Sequence, residues 1–210
     1  AKTVDVTLVK EWVDATAGDT AELVIEGAEP VTSTAPQGSI VDTVNVVTAP
    51  VRIGDSVTMS EALDAVSGAS YGTTFSCDVE GTSTTANGAL SYDVLVGTED
   101  LVCTFTNTGD KVSITFTKVW AEDAFDGDST TLVIGGAVEG QQTAVAPEGN
   151  TVSALANVGQ AVTFTENFGS NNGTYDTSWR CDDADAPADG AVTSGSLQVG
   201  ENGLKCTVTN

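Results

Sequence analysis

No histidine occurs in the 210 residues. The chain therefore lacks the imidazole base used by most hydrolytic triads and the commonest metal-ligating side chain. The string "GASYG" (68–72) has the GxSxG spacing of a nucleophile elbow. That device needs a histidine partner and a strand-to-helix turn, so Ser70 reads as a turn residue. Cations are scarce too. Seven basic residues face thirty acids, a formal charge of −23, which would repel nucleic acid and anionic membrane surfaces alike. No apolar run approaches the roughly eighteen residues of a membrane helix, so no membrane insertion is expected. Phosphate loops and dinucleotide fingerprints are absent as well. The reading is a protein with no cofactor and no resident metal, and not an enzyme acting on external substrates.

What remains is rich in Val, Thr, Ser, Gly and Asp. Valine and threonine favour strands, and glycine and aspartate favour the turns between them; no stretch has the period of a long amphipathic helix. The composition reads as all-β. The four cysteines are Cys77, Cys103, Cys181 and Cys206. An even count without CxxC spacing reads as disulfides, Cys77–Cys103 and Cys181–Cys206, formed in an oxidising compartment. A beginning at "AKTVDV" suits a secreted chain whose signal peptide has been removed, which places the protein outside the cell or on its surface.

The chain repeats itself once. "VTLVKEW" matches "ITFTKVW", "AELVIEG" matches "TTLVIGG", "SVTMSEA" matches "AVTFTEN", and "LVCTFTN" matches "LKCTVTN". Spacings hold as well: the second cysteine of each copy precedes a terminal asparagine by 4 residues in both. Two repeats follow, 1–108 and 109–210, each a β-sandwich of about seven strands. The short "TGDK" (108–111) between them favours a stiff, end-to-end rod.

Side chains alternate across a strand. In "ITFTKVW" that puts Ile114, Phe116, Lys118 and Trp120 on one face, so a lysine points where the core residues point. "VTLVKEW" does the same with Lys10. By the same period, Glu61 and Glu166 point inward after Val57–Met59 and Val162–Phe164, and Asn107 and Asn210 after Cys103–Phe105 and Cys206–Val208. Each repeat thus buries one lysine, one acid and one carboxamide, a costly set if left unpaired. Two readings compete. One is a plain buried lysine–glutamate ion pair. The other is chemical: burial lowers an amine pKa and raises that of a carboxylic acid, in documented cases to about 5–6 and 8–9. A neutral amine could then attack the asparagine carboxamide while the acid polarises it and passes a proton to the departing ammonia.

The lysine before an aromatic on the first strand, the central "T-x-T/S-E"-like block and the terminal "C-T-x-T-N" resemble the prealbumin-like, collagen-adhesin B-type (CnaB, SpaA-like) domains of bacterial surface proteins and pilins. The resemblance covers both halves of the chain. It implies tandem immunoglobulin-like, prealbumin-like sandwiches with autocatalytic isopeptide bonds, Lys10 to Asn107 assisted by Glu61 and Lys118 to Asn210 assisted by Glu166. The function it implies is a structural segment of an extracellular filament, pilus or adhesin stalk, with copies of itself or neighbouring repeats as end-to-end partners. The cysteines depart from the usual Gram-positive pilin pattern, and neither the sortase motif LPxTG nor the pilin lysine motif occurs in these residues. The alternative is an adhesin module recognising a host protein or glycan. Two acidic stretches, "DAFDGD" (123–128) and "CDDADAPADG" (181–190), would be its calcium-binding candidates.

Overall fold

The computed structural model of the chain describes residues 2–79, 82–88, 90–136, 140–182 and 194–210. It divides into two compact units, Ala1–Asp110 and Lys111–Asn210, and the described residues contain no helix. The first unit comprises β1 (Thr3–Ala15), β2 (Thr20–Ile25), β3 (Val31–Thr34), β4 (Gly38–Arg52), β5 (Ser56–Asp64), β6 (Tyr71–Val79), β7 (Thr82–Asn87), β8 (Ser91–Leu95) and β9 (Leu101–Gly109). The second comprises β10 (Lys111–Val119), β11 (Ser129–Gly136), β12 (Gly140–Val145), β13 (Asn150–Asn157), β14 (Ala161–Phe168), β15 (Ser178–Cys181), β16 (Ser194–Gln198) and β17 (Leu204–Thr209).

Nine and eight strands exceed the expected seven. The surplus comes from short edge segments such as β3 and β7, whose "VTST" and "TSTTAN" carry too few apolar residues to announce a strand. The stretch 108–111, read as a linker, is also strand on both sides of Asp110. The ladders of β9 account for this, because they pair Val13 with Thr108 and Tyr71 with Gly109, right to the strand's end.

Each unit is two facing sheets. In the first, the order β4-β1-β9-β6-β7 faces β3-β2-β5-β8; in the second, β13-β10-β17-β15 faces β12-β11-β14-β16. The decisive pairing is parallel. First and last strands lie side by side, β1 with β9 and β10 with β17. Their inner faces hold Leu8 and Phe105 in one unit and Phe116 and Val208 in the other, all fully buried. These residues belong to one main apolar cluster per unit. The first unit has a second, smaller cluster farther along β1, built from Trp12, Ala15, Ala21 and Ala35.

Both disulfides are present. Cys77–Cys103 joins β6 to β9 and Cys181–Cys206 joins β15 to β17, each between directly paired residues 4.0 Å apart at Cα. Replacing Cys77 and Cys103 with serine should leave the first unit folded but lower its unfolding free energy by about 3 kcal/mol, from closure of a loop of this length. Urea denaturation of the two forms checks this. A loss below roughly 1 kcal/mol would mean that the bond constrains the unfolded chain far less than loop closure implies.

Candidate functional site

On β1 the inward series runs Val4, Val6, Leu8, Lys10, Trp12, all buried. Lys10 thus sits between the main cluster, which ends at Leu8, and the small cluster around Trp12. Its side chain is fully buried, as is that of Glu61, which arrives from β5 in the facing sheet. Lys10 Nζ lies 3.1 Å from Glu61 Oε2. It also donates to the backbone carbonyls of Glu11 at 3.0 Å and Phe105 at 3.2 Å. Asn107, fully buried, stands opposite Trp12 in the parallel ladder, two residues past Phe105, the partner of Lys10. Among the described residues, neither its amide atoms nor the Glu61 oxygens have a well-directed hydrogen bond. A buried polar atom in that condition costs about 1–3 kcal/mol.

The second unit gathers the corresponding three. Lys118 Nζ is 3.6 Å from Glu166 Oε1, with both side chains fully buried, and it donates to the Val119 carbonyl at 2.9 Å. Here the carboxamide is engaged too: Asn210 Nδ2 donates to Glu166 Oε1 at 3.0 Å. The backbone leaves little room. A Cβ at Gly149 would collide with the Lys118 carbonyl, so only glycine suits that place on the neighbouring chain. All six residues singled out from the alternation are therefore buried, three in each unit.

Burial pushes the Lys10 amine down to about 8, and the charges of Glu61 and Glu11 pull against that shift without cancelling it. Lys118 is likewise pushed down to about 8 by burial, against the opposing charge of Glu166. These values lie above the 5–6 of an unpaired buried lysine, and the paired acid is the reason. An amine of this kind is partly neutral near pH 8 and can act as a nucleophile.

Sequence reasoning missed the layer behind the lysines. Lys10 Nζ stands 4.4 Å from the centre of the Trp12 ring, and Lys118 Nζ 4.1 Å from that of Trp120. Each indole in turn meets a tyrosine edge to face, Trp12 with Tyr71 at 5.8 Å and Trp120 with Tyr175 at 5.4 Å between centroids. Each tyrosine donates its hydroxyl to a buried aspartate at 2.6 Å, Tyr71 to Asp19 and Tyr175 to Asp128. Asp19 also accepts from the Ser67 backbone and hydroxyl. Asp128 accepts from Asn172 and the Gly173 backbone. Burial and the Asp19 hydrogen bond push the Tyr71 hydroxyl up to about 12. Burial alone would raise the Asp128 carboxyl; the donors from Tyr175, Asn172 and Gly173 outweigh it and hold it below the ordinary range.

The repeat carried a signal for this layer. Asp19 and Asp128 both stand two residues before the matched "AELVIEG" and "TTLVIGG", and Tyr71 and Tyr175 both stand six before a cysteine.

Ser70 is exposed in the irregular segment between the turn at 66–67 and β6. Asp128, the last acid of "DAFDGD", is occupied by protein donors, and no group of three or more acids or cysteines gathers among the described residues. The acidic stretch 181–190 lies outside the described residues from 183 onward. Asn172 commits its amide to Asp128. Trp179 stacks on Phe116 in the main cluster, with ring centroids 4.8 Å apart.

No family model matches the chain, and no curated protein matches it either. Solved structures do. A major pilin protein (T-13) of Streptococcus pyogenes matches with a TM-score of 0.55 at 13% identity, covering 100% of this chain and 97% of that one. Another major pilin structure from Streptococcus pyogenes matches with a TM-score of 0.52 at 14% identity, covering 100% and 99%. The chain shares its fold with these pilins. At such low identity the likeness shows architecture alone, and that architecture is the tandem sandwich implied by the motif resemblance.

The lysine shifts have a signed consequence, followed here in an Asn107→Ala, Asn210→Ala form that keeps both lysines and both acids. Between pH 8 and 10 the unfolded chain holds both lysine protons while the folded chain has released them, so stability should rise with pH across that window. Above about pH 10 the raised Tyr71 works the other way. NMR titration of the lysine ε-methylenes should place both midpoints near 8 instead of the ordinary 10.5. Midpoints at the ordinary value would mean the amines are solvated.

Proposed function

We propose that the chain is a structural segment of an extracellular filament or surface stalk, and that each unit closes itself with a lysine–asparagine amide. One observation carries this reading. In both units a lysine, an acid and a carboxamide are buried together where the first and last strands run side by side. An ion pair alone would leave the carboxamide without a purpose, and in the first unit without partners. The two pilins that share the fold are filament subunits by name, which supports the same class of role.

The chemistry balances with no added reagent. The lysine passes one proton to the neighbouring carboxylate, and the neutral Nζ attacks Cγ of the asparagine. As the Cγ–Nδ2 bond breaks, the carboxyl group returns that proton to the leaving nitrogen while Nζ sheds its own surplus proton through the same acid. The products are one amide and one ammonia. In the second unit the acid already touches the departing Nδ2. Adjacent strands of a folded sheet hold amine and carbonyl together, so proximity replaces an external catalyst. The charge on the lysine disappears, which removes the main penalty of burying it.

The amide would close a loop of 97 residues from Lys10 to Asn107. Treated like a disulfide of that span, it would add roughly 4 to 5 kcal/mol. It also changes how load is carried. Tension entering through β1 and leaving through β9 would cross a covalent bond before it reached the hydrogen bonds of the sheets.

Intact-mass measurement of the purified chain should show the loss of one ammonia per unit, two in all, beyond the four hydrogens lost to the disulfides. The full calculated mass after reduction would remove the reading. Glu61→Ala and Glu166→Ala should each fold and retain ammonia only in the altered unit. Normal reaction in either variant would take the proton-transfer role away from the acid.

A further inference from the structure

We propose that Trp12 and Trp120 are positioning residues for the cross-link, each held by the tyrosine–aspartate pair behind it so that the lysine amine faces its asparagine. The inference rests on the cross-link reading and extends it to three residues per unit that the lysine–acid–amide chemistry does not itself require.

The same file appears twice: Lys10, Trp12, Tyr71, Asp19 and Lys118, Trp120, Tyr175, Asp128. Its surroundings differ between the units. Trp12 donates its indole N–H to Ser33 at 3.0 Å, and Ser33 donates to Asp42. The Trp120 indole nitrogen has no partner among the described residues. Asp19 is satisfied from Ser67, Asp128 from Asn172 and Gly173. What stays constant is the order lysine, indole, phenol, carboxylate, so that order is what the site needs.

Each member has a physical task. A lysine amine on a four-carbon stem has many rotamers, and attack requires the reacting atoms near 3–3.5 Å. The indole face attracts the ammonium and narrows those choices before reaction. It also closes the site, since Trp12 is fully buried and Trp120 nearly so. The tyrosine edge fixes the ring's tilt. The aspartate fixes the tyrosine and ties together the loops before β2 and β6, or before β11 and β15. Tyr71 additionally accepts the Thr16 backbone N–H at 3.0 Å, and Tyr175 that of Phe125 at 3.0 Å. The loop that follows the lysine strand is thereby pinned to the ring that orients the lysine.

The test uses the full chain and follows ammonia loss in each unit by mass spectrometry of proteolytic fragments, from refolding onward. In Trp12→Leu the first unit should react about tenfold more slowly or worse, as expected for a misplaced nucleophile, while the second unit keeps its rate and serves as internal control. Trp12→Phe, which restores an aromatic face, should recover most of the rate. Reaction at the wild-type rate in a folded Trp12→Leu chain would overturn the proposal, and so would a Trp12→Phe chain no faster than Trp12→Leu. Should Trp12→Leu fail to fold, Tyr71→Phe decides: slower reaction supports the latch, an unchanged rate overturns it.

A further readout is independent of reaction. In an Asn107→Ala background, Trp12→Leu should move the Lys10 titration midpoint below that of Asn107→Ala alone, because the ring face favours the charged amine while Glu61 and Glu11 remain beside it. An unmoved midpoint would count against the ring contact. If the unaltered chain loses no ammonia at all, the cross-link reading falls first; if it loses two and the variants match its rate, only the positioning role falls.

Discussion

A lysine amine enclosed on an inward strand position, between apolar layers, dictates much of what surrounds it in both units. It cannot be left alone there, since an isolated buried charge costs several kcal/mol. The facing sheet therefore supplies a glutamate, in the first unit the adjacent strand offers the Phe105 carbonyl and the lysine's own strand that of Glu11, and an indole covers the open side. Parallel pairing of the terminal strands brings the carboxamide alongside, because Asn107 lies on the same face as Phe105 and two residues farther along. The polar layer is thin, one residue deep along each strand. Its apolar neighbours exclude the water that would otherwise level its electrostatics.

Much of this was legible from period-two alternation. Lys10, Lys118, Glu61, Glu166, Asn107 and Asn210 each end a run of inward apolar residues, and each is buried. The cysteines were legible from count and spacing and pair as read. The edge strands were not, because "VTST" and "TSTTAN" hold one apolar residue each, too few to write an alternation into the sequence. The tyrosine–aspartate pairs escaped for a different reason. Asp19, Asp128 and Tyr175 lie in loops and Tyr71 opens β6, where no run of alternation yet marks the inward direction, and their meaning comes from contacts 47 to 52 residues apart. Comparison of the two copies position by position would have found them, since a turn aspartate kept at the same offset has a reason beyond turn propensity.

The shared architecture at 13% and 14% identity with two pilins is physically reasonable. A sandwich needs alternation, turns and a filled interior, and many sequences provide those. The two units of this chain show the same latitude. β4 of the first unit bulges between Leu8 and Lys10, where Asp42 gathers the backbone of Val44 and Asn45, whereas the equivalent β10–β13 ladder of the second runs without interruption. Hydrogen bonds from Asn45, Ser33 and Val44 outweigh the burial that would raise the Asp42 carboxyl and hold it below its ordinary range. The sheet edge varies while the lysine, acid, carboxamide and indole are kept in both units.

Parallel terminal strands have one more consequence. A chain that enters a unit along β1 and departs along β9 in the same direction arrives at one pole and exits at the opposite one. An antiparallel closing pair would return it to the starting pole, and a second copy would then need a long return segment. Here β9 ends at Gly109 and β10 begins at Lys111. Gene duplication lengthens such a protein by whole units without inventing a connection, each new copy arriving with its own buried lysine, acid and carboxamide.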